Sequence, residues 1–306
     1  MDTFTFIVSE NDAGMRLDKY LSCQMPDITR SFLQKLIKEE QVLVNGQMQK
    51  ANYKLKSAQE VFISIPPAEN ISVVPENLPL DILYEDDDIL IVNKPKGMVV
   101  HPSAGHENGT LVNAVLYHCK DSLSGINGEI RPGIVHRIDK DTTGSLIICK
   151  NDVSHLCVAK QLKEHSITRI YRGIVSGNVR EITGRIENNI GRHGTDRKKM
   201  AVVPNGGKTA ITNYTVLKQW KSAAYMEFRL ETGRTHQIRV HMANIGHPLL
   251  GDTVYGNSKN PYKLEGQTLH AMTIGFIHPR SGEYLEVSAP LPDYFQELIK
   301  KFDYMQ

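Results

Sequence analysis

The hydrophobic and polar positions near the start of the chain predict a small unit of two helices and two strands over residues 12–65. Leu17 and Leu21 stand one helical turn apart and predict the first helix. In the stretch 29–38, apolar residues recur at helical spacing, at Phe32, Leu33, Leu36 and Ile37. The basic residues of this second helix fall off the apolar face, namely Arg30, Lys35 and Lys38. The second helix is therefore expected to present a basic side to solvent.

Two short apolar runs complete the small unit, and a proline-dotted stretch follows it. Residues 42–44 and 60–65 each predict a strand, and an Asn-Gly turn closes the first. Residues 66–80 carry several prolines and no hydrophobic period, as is typical of a linker. We therefore expect a small domain over 12–65, a linker over 66–80 and a larger domain over 81–306.

Short β-rich runs dominate the larger domain. The predicted strands include 89–94, 146–149, 170–175, 225–230 and 237–240. Helical patterns interrupt them near 110–120, 152–165 and 293–302. Because strands outnumber helices without a regular strand-helix alternation, the pattern predicts an α+β fold with a mixed, mainly antiparallel sheet.

Composition excludes several classes of protein. The chain has 36 basic and 34 acidic residues, so a nucleic-acid surface has to come from local placement of charge. The four cysteines form no Cys-x-x-Cys pair, which argues against a zinc site and a disulfide framework. No apolar run approaches the roughly 20 residues of a membrane span, and the start lacks the basic region of a secretory signal. We expect a cytoplasmic protein with no metal and no membrane partner.

One further segment is locally basic. Residues 192–208 hold Arg192, Arg197, Lys198, Lys199 and Lys208 against a single acidic residue, Asp196. Such a run is most often a solvated loop, but beside an RNA site its side chains would contact phosphates. We therefore take Arg197, Lys198 and Lys199 as candidate RNA contacts.

The polar segment 131–144 stands directly before the predicted strand 146–149. It concentrates two carboxylates, Asp139 and Asp141, among threonines, glycines and basic side chains. Loops that a rigid sheet positions are where catalytic residues tend to lie. A solvated turn with local caps is the commoner explanation of any one such loop. The segment is thus a candidate catalytic loop.

The segment 230–241 contains two arginines and two histidines, Arg234, His236, Arg239 and His241. If 237–240 is a strand, its alternation places Arg239 and His241 on one face and Ile238 on the other. A guanidinium on that face can pair with a catalytic carboxylate. The exposed polar face of an edge strand explains the segment equally well, so both interpretations stay open.

Two other motif classes fail on spacing. Gly206-Gly207-Lys208-Thr209 lacks the first glycine of a phosphate-binding loop, whose place Val202 occupies. His236 and His241 are five positions apart without an intervening glutamate, which does not suit the helical zinc motif of metallopeptidases. A nucleoside triphosphatase and a zinc hydrolase are therefore not expected.

Four blocks in a fixed order resemble the A-type family of large-subunit ribosomal RNA pseudouridine synthases, in particular its D-type members. The blocks are 84–103, 109–144, 230–243, and 269–271 with 278–279. Residues 12–65 are similar to a small RNA-binding module shared with a ribosomal protein and some tRNA synthetases. The resemblance covers essentially the whole chain, and four ordered blocks are far more specific than one short motif. Ile138 stands where the family usually has leucine, which is a conservative departure.

The resemblance implies the fold and activity of an enzyme that isomerises uridine in RNA without a cofactor. It implies that Asp139 is the essential aspartate, Tyr171 the active-site tyrosine and Arg239 the basic residue paired with the aspartate. An ionised carboxylate suits this reaction, because it can add to the sugar or stabilise the positive charge that develops there. Whether the aspartate attacks the sugar, attacks the base or abstracts a ribose proton stays open at this point.

The resemblance also implies how the RNA is held. Arg137 matches an arginine that enters the RNA near the extruded base, and Leu269 or Ile238 would pack under the uracil. Extruding a uridine is cheapest from a loop, so a hairpin loop of 23S ribosomal RNA is the expected substrate. The small domain would add Arg30, Lys35 and Lys38 as RNA contacts. A monomer is expected.

Two alternatives remain. A ribosome-assembly factor would keep the fold and only bind RNA, but a pure binder has no need of a carboxylate that faces phosphates. Within the enzyme class, a sibling synthase would act on other uridines of ribosomal or transfer RNA.

Overall fold

The computed structural model describes residues 2–305 apart from 26–27, 29, 66–72, 104, 121, 127–130, 197 and 257–260. The contacts within the chain divide it into two compact units, Met1–Ile71 and Ser72–Gln306. Most of the stretch predicted as a linker therefore either lies outside the described residues or belongs to the larger unit.

The small unit packs two helices on a four-stranded antiparallel sheet. Its strands are β1 (Asp2–Ile7), β2 (Val42–Val44), β3 (Gln47–Met48) and β4 (Glu60–Ile65), and its helices are α1 (Leu17–Gln24) and α2 (Arg30–Lys38), with a short 3-10 turn at Glu10–Asp12. The strand order is β1-β4-β2-β3. The unit begins earlier than the predicted residue 12, because β1 pairs along its whole length with β4. Its core includes Leu17, Leu21, Leu33, Leu36, Val61 and Ile63.

A buried carboxylate ties the two helices of the small unit together. The side chain of Asp18 has no exposed area and accepts hydrogen bonds from Arg16 at 3.0 Å, Arg30 at 2.8 Å and Gln34 at 2.6 Å. Burial by itself raises the pKa of Asp18, but these three donors outweigh it and lower the pKa to about 2. The charged form of Asp18 therefore stabilises the folded unit.

We expect Asp18 to make the small unit sensitive to acid between about pH 4 and pH 2. An unfolded aspartate has a pKa of about 3.9, so the contribution of Asp18 is full above that pH and is lost as the pH falls through its folded value. Asp18→Asn should remove on the order of 2 kcal/mol of stability at pH 7 and flatten the acid dependence. Urea unfolding followed by circular dichroism at several pH values measures this.

Two controls accompany that experiment. Glu10→Gln changes an exposed carboxylate of the same unit and should alter neither stability nor its pH dependence. The fluorescence of Trp220, the single tryptophan, reports the larger unit alone. An acid transition that is unchanged in Asp18→Asn would contradict the assignment.

The larger unit is built on one mixed, mainly antiparallel sheet, as the sequence predicts. Its strands are β5 (Ile82–Glu85), β6 (Ile89–Lys94), β7 (Thr143–Cys149), β8 (Thr168–Ser176), β9 (Thr183–Arg192), β10 (Met200–Val202), β11 (Lys208–Gln219), β12 (Ala223–Leu230), β13 (Leu269–Ile277) and β14 (Tyr284–Ser288). Their order is β10-β9-β11-β12-β8-β13-β7-β6-β5, and β14 pairs with β13. The pairing of β13 with β7 is parallel, whereas the other pairings described are antiparallel. The fold class is therefore confirmed.

Four helices accompany this sheet: α3 (Leu111–Cys119), α4 (Asp152–Lys163), α5 (Gln237–Asn244) and α6 (Asp293–Tyr304). Three of them agree with the helical patterns in the sequence. The strand predicted at 237–240 is wrong, because these residues form the first turn of α5. Alternation over four residues does not separate a strand from a helix that is buried all round, and residues 237–242 are all buried. None of the helices in the described part of the chain has the length and apolar character that a membrane crossing requires.

The described end of the predicted linker lies against the larger unit. Residues 73–80 form neither helix nor strand. The side-chain amide of Asn113 in α3 donates to the carbonyl of Val74 at 2.8 Å, and the backbone carbonyl of Asn113 accepts from the amide of Glu76 at 3.0 Å. The amide of Asn113 thus serves this segment as well as the N-terminal cap that it forms with Thr110. The segment is therefore a packed part of the domain.

Candidate active site

An ion pair lies between the loop that precedes β7 and the first turn of α5. Nη1 of Arg239 donates to Oδ2 of Asp139 at 2.9 Å. The two residues are 100 positions apart in the sequence. The guanidinium is 6% exposed and the carboxylate 18%, so the arginine is buried while the aspartate stays accessible. The structure therefore presents one charged, accessible carboxylate oxygen at this point.

A second carboxylate holds Arg239 from behind. Asp252, which has no exposed side-chain area, accepts from Nε of Arg239 at 2.7 Å and from Nη2 at 2.9 Å. Its Oδ1 also accepts the backbone amides of Val254 and Tyr255. Burial raises the pKa of Asp252, but Arg239 and the two amides outweigh it and lower that pKa. Burial likewise lowers the pKa of Arg239, yet the two carboxylates raise it overall.

A buried lysine fixes the loop that carries Asp139. Nζ of Lys94, which has no exposed area, donates to the carbonyl oxygens of Pro95 at 2.7 Å, Met98 at 2.8 Å and Lys140 at 2.9 Å. Burial lowers the pKa of Lys94 to about 7, against the opposing charges of Asp141 and Asp139. Three acceptors around one nitrogen need three N–H donors, so we assign the charged ammonium here. Lys94 thereby joins the end of β6 to the residue that follows the aspartate.

The sheet approaches this loop closely at Gly144. A Cβ at this position would lie 2.2 Å from the carbonyl oxygen of Ala271 on β13, and the backbone has φ +109°. Only glycine fits both the contact and the conformation. The glycine thus permits the parallel pairing of β7 and β13 just beyond the catalytic loop.

His236 is the other polar neighbour of Asp139. Its Nε2 lies 3.7 Å from Oδ1 of Asp139, which is the oxygen that Arg239 leaves free. Its Nδ1 is 2.8 Å from the hydroxyl of Tyr255, which in turn accepts the backbone amide of Met200 at 2.7 Å. Burial lowers the pKa of His236, although Asp139 opposes this, so the imidazole is neutral near pH 7.

An apolar cleft opens next to the ion pair. Its cavity volume is about 60 Å³. Tyr171 of β8 and Leu269 of β13 line it together with Ile138, Leu230 and Ile238. The two strands lie side by side, with Tyr171 opposite Ala271. The cleft therefore has an apolar wall, from which it takes its name here, and a carboxylate at its edge.

The phenol of Tyr171 faces this cleft in its neutral form. Burial raises its pKa; the nearby Arg169 opposes this and Asp139 adds to it. A raised pKa disfavours the phenolate at neutral pH, so Tyr171 offers a ring face and an O–H donor. This weighs against Tyr171 as the base that removes a proton.

A second, more polar cleft of about 270 Å³ meets the first at Asp139. The two share Arg137, Ile138, Asp139, His236 and Arg239. Arg137 is exposed on this common wall, and its Nη1 lies 3.5 Å from Nε2 of His101. Lys140 adds a second exposed cation to the polar cleft. A nucleotide with its base in the apolar cleft would thus have positive charge beside its phosphates.

The other residues proposed as RNA contacts lie in the small unit or in the turn between β9 and β10. Arg30 pairs with Asp18 while half of its side chain is exposed, and Lys38 is exposed at the end of α2. Lys198 is exposed and Lys199 half-buried, in the turn between β9 and β10. This turn leads into Met200, which contacts Tyr255. The side chain of Lys35 and all of Arg197 lie outside the described residues.

Among the described residues, one group has the spacing of metal ligands, Asp86, Asp88 and His278. Arg280 already pairs with Asp88, and the hydroxyl of Tyr84 donates to Asp86 at 2.6 Å. Nδ1 of His278 accepts two backbone amides at 3.3 Å, so Nε2 carries the proton and has no lone pair for a cation. The three residues line neither cleft, and we interpret them as part of an ion-pair network.

Sequence reasoning identified Asp139, Arg239, Arg137 and Tyr171, but it missed Asp252 and Tyr255 and gave His236 no role. The sequence gives no indication of a role for Asp252, because a single aspartate after a glycine in an irregular segment is typical of a local turn. Only the fold brings it behind Arg239.

Comparisons with known proteins identify both units. A family model described as RNA pseudouridylate synthase matches residues 88–244, and one described as S4 domain matches residues 15–61. A Bacillus subtilis protein named as an RNA pseudouridine synthase is 48% identical, over 98% of each chain. The ribosomal large subunit pseudouridine synthase D of Zymomonas mobilis is 45% identical, also over 98% of each. The structure of human RNA pseudouridylate synthase domain containing 1 has a TM-score of 0.57 at 23% identity, covering 78% of this chain and 98% of that one, and shows the same fold.

Proposed function

Since this chain belongs to the RNA pseudouridine synthase family and is an enzyme of that class, we propose that it isomerises uridines in large-subunit ribosomal RNA, in the loop of a hairpin. The observation that carries this proposal is the accessible carboxylate of Asp139, paired with Arg239 at the edge of the apolar cleft. Two relatives named ribosomal large subunit pseudouridine synthase D support the choice of RNA.

The two clefts suit the two parts of an extruded nucleotide. The uracil ring enters the apolar cleft, between the ring of Tyr171 and the side chains of Leu269 and Ile238. The ribose then stands at the junction of the clefts beside Asp139, and the phosphates follow toward Arg137. The base is thereby held apart from water while the sugar faces the carboxylate.

The reaction breaks the bond between N1 of uracil and C1′ of ribose and forms a bond between C5 and C1′. The proton on C5 leaves and N1 gains one, so substrate and product are isomers and the reaction requires no oxidant or energy source. The ionised Asp139 stabilises the sugar while it is detached from the base. Arg239 aims this carboxylate at the sugar through a charge-assisted hydrogen bond of 2.9 Å. A neutral Tyr171 supports the base through its ring and hydroxyl.

RNA binding draws on both units. The small unit matches the S4 domain and exposes Lys38, while the larger unit exposes Arg137, Lys140 and Lys198. These side chains supply phosphate contacts, which fix the position of the RNA without reading its sequence. We further propose that the protein acts in the cytoplasm on precursor ribosomal RNA, as a monomer.

The proposal predicts pseudouridine in 23S ribosomal RNA that is treated with the purified protein. Unmodified transcripts of the 23S RNA and of the transfer RNAs from the source organism are incubated with it, and pseudouridines are mapped by carbodiimide-dependent stops of reverse transcription. We expect modification in hairpin loops of the 23S RNA. Modification of transfer RNA alone would instead assign the protein to a sibling activity, and no modification of either RNA would contradict the proposal.

A further inference from the structure

The reaction described above gives no joint role to Oδ1 of Asp139 and the imidazole of His236, although the two lie side by side. Oδ1 of Asp139 and Nε2 of His236 are 3.7 Å apart, which is too far for a hydrogen bond between them. The carboxylate is 18% exposed and the imidazole 19%. Both line the apolar and the polar cleft, so they stand where the two clefts meet.

We assign the proton of the His236 imidazole from the hydrogen bonds behind the ring. The amide of Met200 donates to the oxygen of Tyr255, and the proton of this phenol then has Nδ1 of His236 as its acceptor at 2.8 Å. With Nδ1 accepting, the neutral imidazole carries its proton on Nε2. His236 therefore presents an N–H donor next to a carboxylate acceptor.

The backbone holds this donor in place. His236 has φ +58°, a left-handed conformation that a residue with a side chain adopts at a cost, at the residue before α5. The ring of Tyr255 stands edge-on to the imidazole at 5.6 Å and also lies 5.1 Å from the guanidinium of Arg239. The ring of Tyr255 thus packs against both the imidazole and the arginine that holds Asp139.

A donor and an acceptor at this separation suit one hydroxyl group. An oxygen about 2.8 Å from both atoms accepts from Nε2–H and donates its own proton to Oδ1. Within an RNA chain, the 3′ and 5′ oxygens of a nucleotide are phosphodiesters, so the 2′-hydroxyl is the sugar's single O–H group. It is also the group by which a protein distinguishes RNA from DNA.

We propose that His236 and Asp139 together form a subsite for the 2′-hydroxyl of the target uridine. This inference rests on the proposed function, because it takes the target nucleotide to be the one whose base fills the apolar cleft. The subsite orients the ribose against the carboxylate and makes the enzyme reject a deoxyribose at this position. His236 is thereby a specificity-determining residue that contacts the substrate.

The test compares a ribose with a deoxyribose in the wild-type protein and in a His236 variant. The probe is the 23S hairpin that the wild-type protein modifies, made with either a uridine or a 2′-deoxyuridine at the target position. His236→Asn removes the Nε2 donor and keeps a residue type that tolerates the left-handed backbone. Each protein gives a ratio of kcat/KM for the two hairpins. Comparing this ratio between proteins cancels any effect of the deoxyribose on the intrinsic chemistry.

We expect the preference for ribose to fall about tenfold in His236→Asn, the size of one hydrogen bond of about 1.4 kcal/mol. His236→Gln, whose amide nitrogen reaches the place of Nε2, should restore most of it. Tyr255→Phe removes the hydroxyl that keeps the proton of His236 on Nε2. This variant should therefore show an intermediate preference for ribose. His247→Asn changes a histidine that lines neither cleft and should keep the wild-type ratio.

An equal ribose preference in the wild-type protein and in correctly folded His236→Asn would overturn the proposal, as would a wild-type protein without any such preference. If His236→Asn fails to fold by circular dichroism, the Gln and Phe variants carry the comparison. Failure of the wild-type protein to modify the all-ribose hairpin is a different result, since it contradicts the proposed function itself.

Discussion

Asp139→Asn is expected to abolish pseudouridine formation and to leave RNA binding largely intact. The change is isosteric, but a neutral amide neither stabilises a positively charged sugar nor accepts a proton from it. Loss of such a group lowers kcat by at least about 10³-fold. The fold should tolerate the change, because Arg239 keeps two hydrogen bonds to Asp252. The measurements are kcat for the 23S hairpin and its Kd by fluorescence anisotropy.

A matched control shows whether the loss of activity is specific to Asp139 or follows the loss of any carboxylate that is paired with an arginine. Asp88 is 10% exposed, pairs with Arg280 and lines neither cleft. Asp88→Asn should therefore reduce stability and leave kcat near the wild-type value. Wild-type rates in Asp139→Asn would exclude this residue as the catalytic group. They would also reopen the view of the protein as a ribosome-assembly factor that only binds RNA.

Local sequence pattern predicted those parts of the fold in which burial and periodicity agree. The run 89–94 is a continuous apolar stretch between turn residues, and it forms β6 with the same bounds. The segment 237–240 alternates polar and apolar residues as a strand would, but it lies in a helix whose first six residues are all buried. Its conformation depends on the turn at His236 and on its buried surroundings, which no short window of sequence contains.

The candidate site was predictable only in part, for a related reason. Asp139 and Arg239 lie in motifs whose resemblance to a family suggests a pair, although pattern alone did not bring them together. Asp252, Tyr255 and Lys94 act through tertiary placement, and no spacing or periodicity marks them. A buried lysine whose three donors all reach backbone carbonyls looks in sequence like any other lysine at the end of a strand.

Arg239 divides its donors between two carboxylates with different exposure. Asp252 is sealed and receives two of the hydrogen bonds, whereas Asp139 is partly open and receives one. The sealed carboxylate keeps the guanidinium in place whatever happens to Asp139 during the reaction. Positioning of Asp139 should therefore depend on a residue that never contacts the substrate.

Asp252→Asn is the direct test of this dependence. The amide can still accept from Val254 and Tyr255, but its nitrogen then faces Nε of Arg239, so two donors oppose each other. Breaking a buried ion pair by removing one partner costs about 3–5 kcal/mol of stability. A displaced guanidinium also misplaces Asp139, and a shift of about 1 Å lowers kcat about 10²-fold. Thermal unfolding and single-turnover rates measure the two effects.

The loss of rate can be told apart from the loss of stability with a variant that loses stability alone. Glu227 pairs with Arg172 across neighbouring strands of the same sheet, away from the clefts. Glu227→Gln should unfold at a lower temperature and keep its rate at temperatures where it is folded. Asp252→Asn should stay slow at such temperatures while its Kd for the hairpin changes little, because Asp252 lines neither cleft. A fully active Asp252→Asn would mean that Asp139 and the loop anchored by Lys94 hold the guanidinium without help from behind.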